Sequence, residues 1–174
     1  MIRIATALLA GVALAVGLAG CGGSSKAQGV VQAPSEGLTA PPPPPPLPAA
    51  LEHKPTVTVP KGPPPNHLVK IDLVKGTGAA ATPSSTVTVQ YVGVLYKNGK
   101  QFDASWNDGS GQPIQLSLAG GVIKGWTQGI PGMRVGGRRE LIIPPSLAYA
   151  KKGAGSKIPP NSTLVFVVDL HDVS

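Results

Sequence analysis

All seven aromatic side chains of this chain, Tyr91, Tyr96, Phe102, Trp106, Trp126, Tyr149 and Phe166, fall between residues 91 and 166 of 174. Aromatic rings supply the largest units of buried apolar area, so the core must be built in the C-terminal part of the chain. The N-terminal part must do something other than pack. Composition agrees: 23 Gly and 20 Pro are roughly a quarter of the residues, near the level at which low-complexity sequence is expected. The length suits one ordinary domain, not two.

Several classes are excluded early. A single cysteine cannot form an intramolecular disulfide, and with three scattered histidines it speaks against a structural zinc site, so neither staple nor metal is expected. The formal charge is +7, but the basic residues are spread thinly and no nucleic-acid motif accompanies them, so surface attraction to anionic polymers or lipids is the milder reading. No Gly-x-Ser-x-Gly occurs, and neither His67 nor His171 lies in a segment that suggests a nucleophile's partner. A hydrolase is therefore disfavoured.

Residues 1–20 read as a secretory signal: one positive charge, Arg3, then an apolar run from Ile4 to Ala19. The run ends in Leu18-Ala19-Gly20-Cys21, which resembles the bacterial lipoprotein box. That resemblance implies that Cys21 carries a diacylglyceryl group, that cleavage before it makes it the new acylated N-terminus, and that the protein is extracytoplasmic and lipid-anchored to the bacterial cell membrane. Two or three acyl chains hold firmly where one does not, at about 0.8 kcal/mol per buried methylene. A plain signal anchor with an incidental cysteine is the alternative.

Residues 21–53 contain no aromatic side chain but carry Gly, Ser, Ala and Gln, then Pro34, the run Pro41 to Pro46, and Pro48. Consecutive prolines hold φ near −65° and lack a backbone donor, so this stretch is expected to form an extended polyproline II rod beside a flexible portion. At about 3.1 Å per residue, thirty such residues reach on the order of 90 Å. A spacer from the membrane is the commoner role; a ligand for another protein's groove is the other.

Residues 54–174 are the folded domain. Strands are expected at Thr56–Val59, Leu68–Val74, Thr86–Tyr96, Gln101–Ala104, Ile114–Leu118, Arg138–Ile143 and Ser162–His171, with Leu164, Phe166, Val168 and Leu170 on one face. Lys97-Asn98-Gly99-Lys100 is a two-residue hairpin signal. The one credible helix is Val122–Ile130, with Val122, Trp126 and Ile130 at i, i+4 and i+8, weakened by Gly125 and Gly129 and stopped by Pro131. The fold class is α+β: a curved antiparallel β-sheet wrapped around one short α-helix that buries Trp126.

Six blocks then occur in order: Tyr91-Val92-Gly93, Phe102-Asp103-Ala104-Ser105, Val122-Ile123-Lys124-Gly125-Trp126, Gly132-Met133-Arg134-Val135-Gly136, Ile142-Ile143-Pro144, and Ile158 through Phe166. Together, over residues 66–174, they resemble the FKBP-type peptidyl-prolyl cis-trans isomerases. The resemblance implies an isomerase of X-Pro bonds in proline-containing polypeptides, working without cofactor, and expected to be a monomer with macrolide inhibitors as a further ligand class. A non-catalytic proline-peptide binding module or envelope chaperone using the same pocket is the alternative.

The resemblance also implies a site. Tyr91, Asp103, Trp126, Tyr149 and Phe166 would be catalytic, with the Trp126 indole as floor. Phe102, Ile114, Val122, Ile123 and Ile158 would bind substrate. The Tyr149 hydroxyl and the Ile123 backbone N–H would donate to substrate carbonyls, and Asp103 would be held near the Tyr91 hydroxyl. Taken singly, a Trp on a short helix or a Phe on a strand is simply core, and Asp103 is a turn residue after a hairpin strand.

Three departures from the family pattern matter. Ile114 replaces a frequent Phe, the loop from Trp106 to Gln112 is longer than in compact relatives, and Lys157 stands where an apolar residue often precedes Ile158. Ala150-Lys151-Lys152 also makes the loop after Tyr149 basic, which suits either acidic substrates or plain solvation.

Overall fold

Alternating apolar residues with β-branched neighbours make the sheet, and two strands form its centre. A computed structural model describes residues 46–107 and 111–174. The strands are β1 (Val69–Val74), β2 (Thr86–Leu95), β3 (Gln101–Ala104), β4 (Ile114–Ser117), β5 (Arg138–Ile143) and β6 (Leu164–Val173). They pair in the order β1-β5-β6-β2-β3, every pair antiparallel, and β4 joins the same edge of β2 as β3. The described residues all belong to one compact unit, Pro42–Ser174.

The inner face packs against α1 (Lys124–Gly129), the one α-helix among the described residues. Val87, Val89, Leu141, Ile143, Leu164, Phe166, Val168 and Leu170 meet Trp126 and Ile130 there. The helix glycines have a packing reason. A Cβ at Gly125 would clash with the Ile143 side chain, and one at Gly129 would lie 2.8 Å from that of Leu141. Glycine here costs about 1 kcal/mol of helix propensity per residue but lets the helix backbone lie on β5. The last turn closes with Ile130 N–H donating to the Trp126 carbonyl at 3.0 Å, before Pro131 ends the helix.

The outer face is also covered, which the strand alternation alone does not indicate. Val92, Val94, Tyr96, Ala104, Ile142 and Val165 form a second buried cluster beneath Val57, Val59 and Trp106. β6 is accordingly buried on both sides over Leu164–Leu170. The cover is an N-terminal arm. Leu51, on a 3-10 turn at Ala49–Leu51, is 1% exposed. Arg138 Nη2 donates to the His53 carbonyl at 3.0 Å, Lys54 Nζ donates to Asn107 Oδ1 at 3.0 Å, and the Tyr96 hydroxyl donates to the Pro63 carbonyl at 3.4 Å.

Three expectations are corrected. Thr56–Val59 is not a strand: its valines are half-buried and its threonines exposed, so the alternation reflects packing on a sheet surface rather than a hydrogen-bonded ladder. The packed body includes Leu51, ahead of the boundary drawn at residue 54, because one leucine beyond the proline run is enough to anchor the chain. The β2–β3 connection is five residues, Tyr96–Lys100, rather than two. Gly99, at φ +69°, donates to the Leu95 carbonyl, and Leu95 donates to that of Lys100. The signal segment, Cys21 and the run Pro41 to Pro45 lie outside the described residues, among which no helix is long and apolar enough to cross a membrane.

Candidate active site

The site begins at Gly93. On β2 it faces Phe166 of β6 and Asp103 of β3, and a Cβ there would lie 2.6 Å from Phe102 Cζ and 2.9 Å from Phe166 Cε1. The missing side chain leaves room for two rings against the sheet. β3 bulges at Phe102, since Gly93 pairs with Asp103 but Val94 with Gln101, and a bulge re-aims the side chain that it carries.

The rings meet edge to face in a continuous chain. Tyr91 and Trp126 lie 5.2 Å apart at 83°, Trp126 and Phe166 5.3 Å at 85°, and Phe166 and Phe102 5.4 Å at 84°. In this geometry a positive ring edge meets a negative face, worth about 0.5–1.5 kcal/mol per pair beyond burial. Together with Asp103, Ile114, Leu116, Gly121, Val122, Ile123 and Tyr149 they enclose a cavity of about 330 Å³. Trp126 is only 5% exposed, so its ring serves as a wall at the bottom of the cavity.

Polar groups sit at the rim. The Tyr91 hydroxyl donates to Asp103 Oδ2 at 2.6 Å, while Asp103 Oδ1 accepts from the Ala104 N–H at 2.9 Å. Burial first, and then the Asp103 carboxylate beside it, pushes the Tyr91 phenol far above its ordinary value near 10. It is therefore a neutral donor at any physiological pH. Tyr149 is 37% exposed and follows the 3-10 turn Pro145–Leu147. Ile123 is the extended residue immediately before α1.

Of the ten residues expected in the pocket, the cavity brings together Tyr91, Phe102, Asp103, Ile114, Val122, Ile123, Trp126, Tyr149 and Phe166. Ile158 is not among them. It is 6% exposed within the inner core and bridges to Ala154 through two backbone hydrogen bonds of 2.9 and 3.1 Å, which draw it under the loop instead of to its rim. Leu116 and Gly121 are lining residues that the sequence expectation omits. Leu116 was detectable as the same-face neighbour of Ile114 on β4, two residues on; Gly121 gave no signal. Lys151, Lys152 and Lys157 all point to solvent. A wider groove of about 1020 Å³, between Val57–Pro64, Leu95–Gly99 and Pro159–Thr163, contains none of the expected residues.

With that geometry in hand, similarity to known proteins is informative. A family profile described as FKBP-type peptidyl-prolyl cis-trans isomerase matches residues 78–171. An FK506-binding protein of Streptomyces anulatus is 55% identical over 119 residues, covering 67% of this chain and 94% of that protein. A probable FK506-binding protein of Corynebacterium glutamicum is 47% identical over 117 residues, covering 67% and 96%. Among solved structures, that of AtFKBP13 superposes with a TM-score of 0.57 at 41% identity, covering 64% of this chain and 96% of that one. Sequence blocks, sheet order and family match agree, and this chain belongs to the FKBP-type peptidyl-prolyl cis-trans isomerases.

Proposed function

We propose that the protein accelerates X-Pro rotation in polypeptides outside the cytoplasm, held to the bacterial membrane by lipid on Cys21, and that its aromatic cavity does so by excluding water. The observation that carries the reading is the unbroken edge-to-face chain Tyr91–Trp126–Phe166–Phe102 around a cavity whose floor, among the described residues, carries no charged group.

No covalent bond breaks in this reaction, so no nucleophile is required. The barrier of roughly 18–20 kcal/mol is the amide resonance lost on twisting, and water raises it by stabilising the polar planar form. A dry aromatic wall withdraws that help, because the twisted amide, with less charge separation, loses less on desolvation than the flat one. Each factor of ten in rate needs about 1.4 kcal/mol of such preference. In this reading Trp126 and Phe166 hold the proline ring, the Tyr149 hydroxyl and Ile123 N–H orient the flanking carbonyls, and the Tyr91–Asp103 pair keeps the wall in place. Macrolides would compete for the same hollow, less firmly where Ile114 replaces an aromatic side.

The test is a protease-coupled or NMR isomerisation assay on short X-Pro peptides, with Trp126→Ala and Asp103→Val alongside the wild type. Activity that falls in both variants supports the reading; an inactive wild type that still binds proline peptides would transfer the protein to the non-catalytic binding class. The anchor is tested separately, by a globomycin-sensitive mobility shift that disappears in Cys21→Ala.

A further inference from the structure

The edge of β2 next to the cavity is interrupted. Its first residues pair with β4, ending at Val89 with Ile114, and its later ones with β3, beginning at Val92 with Ala104. Between them, among the described residues, Gln90 and Tyr91 meet Ser105 and Gly111 instead of a strand. An unpaired backbone donor at such a gap would be costly, and a side chain fills the role. The Tyr91 N–H donates to Ser105 Oγ at 2.9 Å, the Ser105 hydroxyl donates to Gln90 Oε1 at 2.7 Å, and Gln90 Nε2 donates to the Gly111 carbonyl at 2.7 Å.

Gln90 is 2% exposed and Ser105 5%. Each link uses both capacities of its group: a hydroxyl accepts and donates at once, and an amide does so at two separate atoms. The three bonds join three segments: the strand of Tyr91, the exit of β3 two residues beyond Asp103, and the entry to β4 three residues before Ile114. Asp103 and Ile114 both line the cavity.

We infer that Gln90 and Ser105 are positioning residues whose buried relay sets the spacing of the Asp103 and Ile114 walls, and with it the fit of the peptide, although neither touches the cavity. The inference rests on the isomerase reading for its catalytic readout. Because the relay acts on the walls and leaves the ring floor of Trp126 and Phe166 intact, its loss should weaken ground state and transition state together and appear in KM more than in kcat.

Three full-length variants test it. Gln90→Leu keeps the volume and removes both amide bonds; a rise in KM on the order of tenfold is expected, since small displacements of positioning groups have effects of that size or larger. Gln90→Glu gives a readout that loss of folding would not reproduce. Protonated, its carboxyl can still donate to the Gly111 carbonyl and accept from Ser105; ionised, it cannot donate. Its kcat/KM should therefore approach wild type in acid and fall by about tenfold as pH rises through the titration of a buried carboxyl. Asp169 of β6, paired with Arg138, lies directly opposite Gln90, His171 lies further along that strand, and Asp103 is the penultimate residue of the neighbouring β3. Wild type carries all four groups and supplies the baseline profile.

Val57→Ala, which loosens the outer cluster without touching the relay, controls for stability: its KM should stay within about twofold of wild type at a comparable loss of Tm. An unchanged KM in Gln90→Leu, an equal KM rise in Val57→Ala, or a Gln90→Glu profile parallel to wild type would each overturn the inference. An inactive wild type would instead overturn the isomerase reading, so the two failures are distinguishable.

Discussion

The Tyr91 hydroxyl donates to Asp103 Oδ2 across the β2–β3 pair at 2.6 Å, and that single bond joins a cavity wall on the sheet to the one carboxylate among the described residues of the cavity lining. Ultraviolet titration should find the Tyr91 phenol neutral well above its ordinary value near 10, and Asp103→Asn should bring it down, because a neighbouring negative charge is removed. The linkage sign follows. With the folded value raised, the Tyr91 contribution to stability is full below pH 10 and is lost as pH rises through the folded value. Denaturation midpoints of wild type and Tyr91→Phe should therefore differ by a constant gap below pH 10 and converge in alkali.

Gly93→Ala should be among the most damaging small substitutions. Its methyl would meet Phe102 at 2.6 Å and Phe166 at 2.9 Å, so two rings of the cavity wall must move. Overpacking of this kind costs about 1–3 kcal/mol, read from urea unfolding, and isomerase activity should fall by more than the loss of folded protein explains.

Leu51→Ala separates stability from catalysis. The side chain is 1% exposed in the arm over the outer face, and removing a buried leucine costs about 2–5 kcal/mol. The cavity lies on the other side of the sheet, so kcat/KM of the folded fraction should stay close to wild type. A large loss of kcat/KM at full folding would show that the arm supports the site.

Arg138 and Asp169 form a two-pronged pair at 2.5 and 2.7 Å beneath that arm, with Asp169 fully buried. Burial raises the Asp169 carboxyl and Arg138 opposes the rise. Arg138→Met would leave an uncompensated buried charge, a loss of about 3–5 kcal/mol at neutral pH. The carboxyl then rises further, so its contribution is favourable in acid and lost as pH climbs through the folded value. Chemical melts of Arg138→Met should accordingly recover part of the deficit on acidification, gaining more than wild type, in which Arg138 limits the rise.

Much of this arrangement was legible in the residues. The apolar runs of β2 and β6, the helix ended by Pro131, and nine of ten pocket positions follow from local pattern and ordered family blocks, because strand pleat and helix turn carry their periods in the sequence itself. What lay beyond reach depends on partners distant in the chain. The alternation of Thr56–Val59 is the same whether a strand or a covering arm bears it, and only the apolar outer side of β2 and β6 decides between them. Ile158 has the composition of a wall residue, yet its bridge to Ala154 sends it into the core. Gln90 and Ser105, 15 residues apart, reveal nothing until β3 and β4 leave a gap at Tyr91 that a side chain must close. The amino-acid order determined which faces were apolar and where the rings stood; tertiary packing alone decided which apolar faces met one another and which polar atoms were left to be satisfied, since those are properties of neighbours brought together by folding.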